Sequence, residues 1–302
     1  MRAICLVGIG KIAVDQHVPA IAASPDWTLA ATVSRAGSVD GVPAYTDFAQ
    51  MLAKRPDIDT VSLCLPPVPR YDYAAAAIAA GRHVMLEKPP GATLAEVQAL
   101  AAMAQDAGVT LYTTWHSRMA KGVAPAKAWL ADKTITAAHI TWKEDVRRWH
   151  PGQDWVFAPG GMGVFDPGSN ALSIMTEILP RPVHLRHADL YFPANRDTPI
   201  AAELTWTGNV TGSFDWRQTG PQSWDITVDT TDGTLALHDG GARLVIDGKD
   251  IESGPDREYP ALYDRMAELV KTAASEVDIT PMIHVADALT LGKRHVVEPF
   301  DF

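Results

Sequence analysis

Ala3-Ile4-Cys5-Leu6-Val7-Gly8-Ile9-Gly10-Lys11-Ile12-Ala13 is an apolar strand-like run that breaks into G-x-G-x-x-A and then enters an apolar helix-like segment. The order of those three pieces carries the reading. The first glycine permits a tight turn, the second lets backbone approach a pyrophosphate, and the small Ala13 lets helix pack on strand. A diphosphate would then rest on the helix N-terminus, where free N–H groups and the helix dipole favour an anion. A lone fingerprint is weak, but one placed at the start of an alternating β/α half is specific.

That alternation follows. Ala3–Val7, Leu29–Val33, Thr60–Leu65, His83–Leu86 and Val109–Thr113 read as buried parallel strands, with alanine-rich helical segments at Tyr71–Ala80 and Leu94–Ala107 between them. Thr93 with Glu96 three residues on is a capping-box signature for the latter helix. Beyond a helical Pro125–Ala131 the pattern changes to strands: Ile135–Asp145, Val183–Tyr191, Ala201–Thr207, Val210–Trp216, Trp224–Asp229, Thr234–Leu237 and Leu244–Ile246. Turn dipeptides such as Gly208-Asn209 and Asp247-Gly248 separate them, and helices over Tyr259–Ala274 and Pro281–His295 close the chain. The fold class expected is α/β: a Rossmann doubly wound parallel sheet over residues 1–118, then an α+β domain with a large, mainly antiparallel sheet over 119–302. An apolar open face on that second sheet suggests a homodimer.

Charge and composition narrow the function. With 26 basic and 36 acidic side chains the net charge is −10, and no basic cluster exceeds Arg147-Arg148, so nucleic acid is not an expected partner. No apolar run reaches membrane-spanning length, and a strand beginning at Ala3 leaves no room for a signal peptide; a cytoplasmic protein is expected. Cys5 and Cys64 lie in apolar runs and read as buried hydrophobes, and no histidine or cysteine spacing suits a metal.

The end of the second strand, where an acid usually binds the ribose hydroxyls, holds Val33-Ser34-Arg35, with no acid before Asp40. Ser34 can donate to a 2′-phosphate and Arg35 can pair with it, so NADP is expected to be preferred and NAD also accepted. At the end of the fourth strand stands Met85-Leu86-Glu87-Lys88-Pro89-Pro90. The proline after Lys88 fixes the chain direction, so the ammonium is aimed. Downstream lie Trp115-His116-Ser117-Arg118, the run Trp142–Gly152, and Phe165-Asp166-Pro167-Gly168-Ser169-Asn170. Alternation places Ile140, Trp142 and Glu144 on one strand face, and Asn170 shares a helix face with Asp166.

These stretches resemble the glucose–fructose oxidoreductase/inositol dehydrogenase/Gal80-like family along essentially the whole chain. Glu87–Pro90, Trp115–Arg118, Trp142–Gly152, and Phe165–Gly168 with Asn170–Ile174, are most similar to its bacterial aldose 1-dehydrogenases acting on D-galactose and L-arabinose. The helix position that commonly carries a histidine in the wider family is Asn170 here, and Arg70 likewise replaces a frequent histidine. The resemblance implies a sugar-binding oxidoreductase with Asp166 as base, Asn170 orienting the hydroxyl and Lys88 stabilising the reacting oxygen. It implies sugar contacts at Lys88, His116, Glu144, Trp149, His150, Asp166 and Asn170. Cofactor contacts are implied at Gly8, Gly10, Lys11, Ile12, Ser34, Arg35, Pro66, Pro67, Glu87 and Lys88. Taken alone, Asp166 reads equally as a helix N-cap, and His116 and His150 as core or surface histidines. Two other functions fit the family: a sugar- or dinucleotide-sensing regulator, which needs neither Lys88 nor a proton acceptor, and a cyclitol dehydrogenase, which the missing histidine disfavours.

Overall fold

Residues Ile4 to Val7 are wholly buried, so their strand is covered on both faces, as a continuous apolar run in a parallel sheet requires. This is β1 (Arg2–Val7) of a computed structural model that describes residues 1–254 and 257–302. After a π-helical turn over Ala13–His17 come α1 (Val18–Ala23), β2 (Trp27–Val33), β3 (Ala44–Tyr45) and α2 (Phe48–Lys54). β4 (Thr60–Leu63), α3 (Pro67–Ala79), β5 (His83–Leu86), α4 (Leu94–Ala107) and β6 (Leu111–Thr113) complete the alternation. The strands pair in the order β3-β2-β1-β4-β5-β6, every neighbour parallel. This is the Rossmann order, with the ligand crevice expected where the order reverses beside β1. The Thr93–Glu96 capping box opens α4, and Gly108 in the left-handed region closes it.

Among the described residues the second sheet has nine strands. The elements are α5 (Val123–Leu130), β7 (Ile135–Lys143), α6 (Val146–Trp149), α7 (Phe165–Ile178), β8 (Leu185–Pro193), β9 (Ala201–Trp206), β10 (Val210–Asp215), β11 (Ser223–Thr230), β12 (Gly233–His238), β13 (Arg243–Ile246) and β14 (Lys249–Glu252). Then come α8 (Glu258–Thr272), α9 (Thr280–Leu291) and β15 (Lys293–Val297). The strand order is β14-β13-β12-β11-β7-β10-β9-β8-β15; only β7–β10 and β8–β15 are parallel. Its core gathers Ile140, Trp142, Phe165, Ile174, Trp206 and Phe214.

Two compact units result: Met1–His116 with Glu258–Ile279, and Ser117–Arg257 with Thr280–Phe302. The segment Glu258–Ile279 therefore goes with the Rossmann sheet, although the sequence reading kept it with the second domain. α8 buries Tyr259, Leu262, Tyr263 and Met266; its Tyr263 carbonyl accepts from Trp27 Nε1 and its hydroxyl meets His17. The expected helix over Pro281–His295 stops at Leu291, and Lys293–Val297 instead adds a parallel edge to β8. Among the described residues no helix is long and apolar enough to cross a membrane.

Candidate active site

Gly8 leaves β1 at φ 89°, and a Cβ there would lie 2.9 Å from the Leu65 side chain and 3.0 Å from its amide nitrogen. Only glycine makes that turn against the end of β4. Gly10 faces open space, and Ala13 is wholly buried where the helix meets the sheet. The turn thus offers backbone N–H groups and room beside them, which suits a dinucleotide diphosphate. Lys11 and Ile12 are exposed, and the Lys11 ammonium pairs with Asp15. At the end of β2 the Ser34 hydroxyl accepts from the amides of Ala36 and Gly37 at 3.2 and 3.3 Å, so its own O–H remains available to donate. Arg35 is exposed beside it. Pro66 and Pro67 open α3.

At the end of β5 the Lys88–Pro89 peptide is cis, and the backbone around Lys88 is held by side chains. Arg70, 2% exposed, donates to the main-chain carbonyls of Glu87, Pro89 and Leu65. This accounts for an arginine where the wider family often has histidine: it staples a strand end. Glu87, expected among the cofactor contacts, is only 4% exposed. One carboxylate oxygen accepts the Lys88 amide at 2.8 Å and the other lies 3.1 Å from His17 Nε2. Burial pushes the Glu87 pKa up, but the hydrogen bond and charge of His17, with His116 and Lys88, bring it down to about 2. His116 Nδ1 lies 2.5 Å from Glu258 Oε2, and its ring stacks on Tyr259 at 5.4 Å. Burial opposes its charge, yet Glu258 and then Glu87 hold its pKa above the ordinary imidazole value.

The second unit carries the other cluster. Ile140, Trp142 and Glu144 share the buried face of β7 and its extension, as alternation requires. Glu144, 7% exposed, accepts from two indoles: Trp216 Nε1 at 3.0 Å and Trp224 Nε1 at 2.9 Å. Trp149 ends α6 with its ring 5.8 Å from Trp224 and the Arg148 guanidinium 4.9 Å above it. Gly163, at φ 55°, packs so closely that a Cβ would fall 2.2 Å from the Pro199 carbonyl; this lets α7 begin where it does. Asp166 sits in the first turn of α7, 5% exposed. The N-cap is Val164 and makes no side-chain cap bond, so capping does not explain Asp166. Asn170 follows one turn later, half-buried.

Asp166 Oδ2 lies 3.1 Å from His150 Nε2. Gln153 Oε1 accepts from Trp155 Nε1 at 3.2 Å, which fixes the amide orientation, and lies 3.2 Å from His150 Nδ1. Nδ1 must therefore be the donor. Nε2 is then the ring nitrogen that faces the Asp166 carboxylate. A buried carboxylate beside a partly exposed imidazole can take a proton from a bound hydroxyl or give one back.

Residues 2–114 match the model of an oxidoreductase family with an NAD-binding Rossmann fold, that of glucose–fructose oxidoreductase and inositol dehydrogenase. Over 299 residues the chain is 40% identical to the galactose 1-dehydrogenase of Pseudomonas fluorescens, covering 98% of this chain and 97% of that one. The chain belongs to this oxidoreductase family. It superposes on the crystal structure of a D-galactose-1-dehydrogenase from Rhizobium etli with a TM-score of 0.95 and 54% identity, covering 99% and 97% of the two chains. A 3-ketoreductase from Actinomadura kijaniata, solved with NADP, shares the fold at a TM-score of 0.81 and 17% identity, covering 98% and 99%. The chain is an oxidoreductase whose first unit is the NAD-binding Rossmann fold.

Of the expected residues, the structure gathers Glu87, Lys88 and His116 in the first unit and Glu144, Trp149, His150, Asp166 and Asn170 in the second. Sequence reasoning missed His17, Tyr259, Tyr263 and Glu258, and the partners Gln153, Trp216 and Trp224. The available signal was His17 itself, an imidazole directly before the apolar run Val18–Ala23.

Proposed function

We propose that this chain is an NADP-preferring aldose 1-dehydrogenase that also accepts NAD and converts D-galactose- or L-arabinose-type sugars to the lactone. Bound NADP supplies the hydride acceptor for the anomeric hydrogen. Gly8, Gly10 and the helix start would hold its diphosphate, and Ser34 and Arg35 its 2′-phosphate. Asp166, with His150 beside it, takes the proton of the anomeric hydroxyl as the C1–H bond breaks and C1=O forms. Lys88 places positive charge at that oxygen, where negative charge builds, and Asn170 orients the hydroxyl. Trp149 would offer an aromatic face to the apolar side of the sugar ring, and Glu144 and His116 would bind hydroxyls.

The observation that carries the reading is the buried Asp166 carboxylate set against His150, in a chain similar to galactose dehydrogenases over its whole length. A sensor would need no such proton acceptor. The test is absorbance at the reduced-nicotinamide band with a panel of aldoses, run with NADP and with NAD. Reduction is expected with D-galactose, L-arabinose and D-fucose, faster with NADP at low cofactor. No reduction by any aldose would overturn the proposal.

A further inference from the structure

We propose that His17 is a positioning residue for Lys88, acting through Glu87; the inference rests on the role given to Lys88 above. His17 is the last residue of the π-helical turn Ala13–His17, which follows the nucleotide fingerprint directly, and the Val18 amide donates to the Ala13 carbonyl five residues back. Such widened turns are rare and are frequently found at functional sites.

The imidazole is wholly buried. Nε2 lies 3.1 Å from Glu87 Oε1, and Nδ1 lies 2.7 Å from the Tyr263 hydroxyl. The Tyr259 ring meets the imidazole edge-on at 4.9 Å. Glu87 passes the constraint on, because its second oxygen accepts the Lys88 amide at 2.8 Å. Arg70 fixes the Glu87 and Pro89 carbonyls on either side. The backbone carrying the Lys88 side chain is thereby tied through its own amide to His17, and through neighbouring carbonyls to Arg70.

Packing alone would not call for this arrangement. A buried histidine–carboxylate pair carries a desolvation cost that an apolar pair of similar volume avoids. Burial itself works against charge on His17, yet the Cys64 thiol, the Tyr263 hydroxyl and Glu87 together raise its pKa well above the ordinary value. Take the imidazole away, and one oxygen of the Glu87 carboxylate loses its hydrogen-bonding partner in a dry site. The carboxylate then shifts to find another partner, and that change alters the acceptor that holds the Lys88 amide.

The test uses His17→Phe, which keeps a ring and removes both nitrogens, and His17→Gln, which restores a donor toward Glu87. Lysines of the full chain are reductively methylated with carbon-13 formaldehyde, and the Lys88 resonance is assigned by its loss in Lys88→Arg. His17→Phe is expected to shift or broaden the Lys88 signal with the other lysine signals in place, and His17→Gln to return it. In the dehydrogenase assay His17→Phe should lower kcat about 10- to 100-fold, the scale of a misplaced catalytic group, with NADP affinity changed less than about threefold. A folded His17→Phe with an unmoved Lys88 signal, or with wild-type kcat, overturns the proposal. If His17→Phe does not fold, Glu87→Gln is read by the same resonance: a moved signal supports the proposal and an unmoved one overturns it. The resonance needs no substrate, so it stands apart from the activity reading. An active Lys88→Ala would remove the role of Lys88 without touching the link from His17 to it.

Discussion

Replacing Glu87 with Gln tests the electrostatics of the first unit quantitatively. The carboxyl titrates at about 2 in the folded chain against 4.5 when solvated. A folded-state pKa below the unfolded one means the charged form stabilises the fold. That contribution is fully present above pH 4.5 and is lost as pH falls through about 2. The difference corresponds to about 3 kcal/mol at neutral pH, of which roughly half remains at pH 3. Glu87→Gln removes the charge and keeps the shape, so the wild type should exceed it by about 3 kcal/mol at pH 7, with the gap narrowing to about half by pH 3. Two units make a single unfolding curve ambiguous. Hydrogen exchange of the β1 and β4 amides, followed against urea at both pH values, reads the first unit by itself. A gap of equal size at pH 7 and pH 3 would show that the ionised carboxylate is not what Glu87 contributes, and a gap that widens on acidification would reverse the sign of the reasoning.

Other substitutions separate the remaining roles. Arg35→Ala should weaken NADP about 10- to 100-fold, one charge-assisted contact, and leave NAD nearly unchanged by titration calorimetry; equal weakening of both would remove Arg35 from the 2′-phosphate. Asp166→Asn should abolish turnover at every pH with the fold and NADP binding intact, since it retains size and loses the proton acceptor; substantial activity would pass the role of base to His150 or Lys88. Glu144→Gln turns an amide N–H toward one of two indole donors and should cost about 2–4 kcal/mol in urea unfolding of the second unit. A loss below 0.5 kcal/mol would mean that Trp216 and Trp224 do not depend on the charge.

The Rossmann half was legible because its determinants are local. Alternating apolar runs, a fingerprint in register and the Thr93–Glu96 capping box each lie within a few residues of sequence. Strands β3 and β14 escaped because two and four residues carry no usable periodicity. The end of α9 was overrun although Gly292 marks it, and β15 exists only because β8 offers it an edge. The apolar stripe of α8 announces a buried helix and says nothing of which sheet buries it. In the site, Lys88, His150 and Asp166 could be named from motifs. The pairs that define their chemistry could not: His17 meets Tyr263 across 246 positions of sequence, and Glu144 meets Trp216 across 72. Such partners are set by the fold, and a motif records only one side of each.

The central claim is that the hydrogen leaving the sugar comes from its anomeric carbon. D-Galactose carrying deuterium at C1 alone, turned over with NADP, tests it in one mass spectrum of the reduced cofactor. The account predicts NADPH heavier by one mass unit, with the label at C4 of the nicotinamide ring. Reduced cofactor without the label would contradict it, since the hydride would then have come from another carbon.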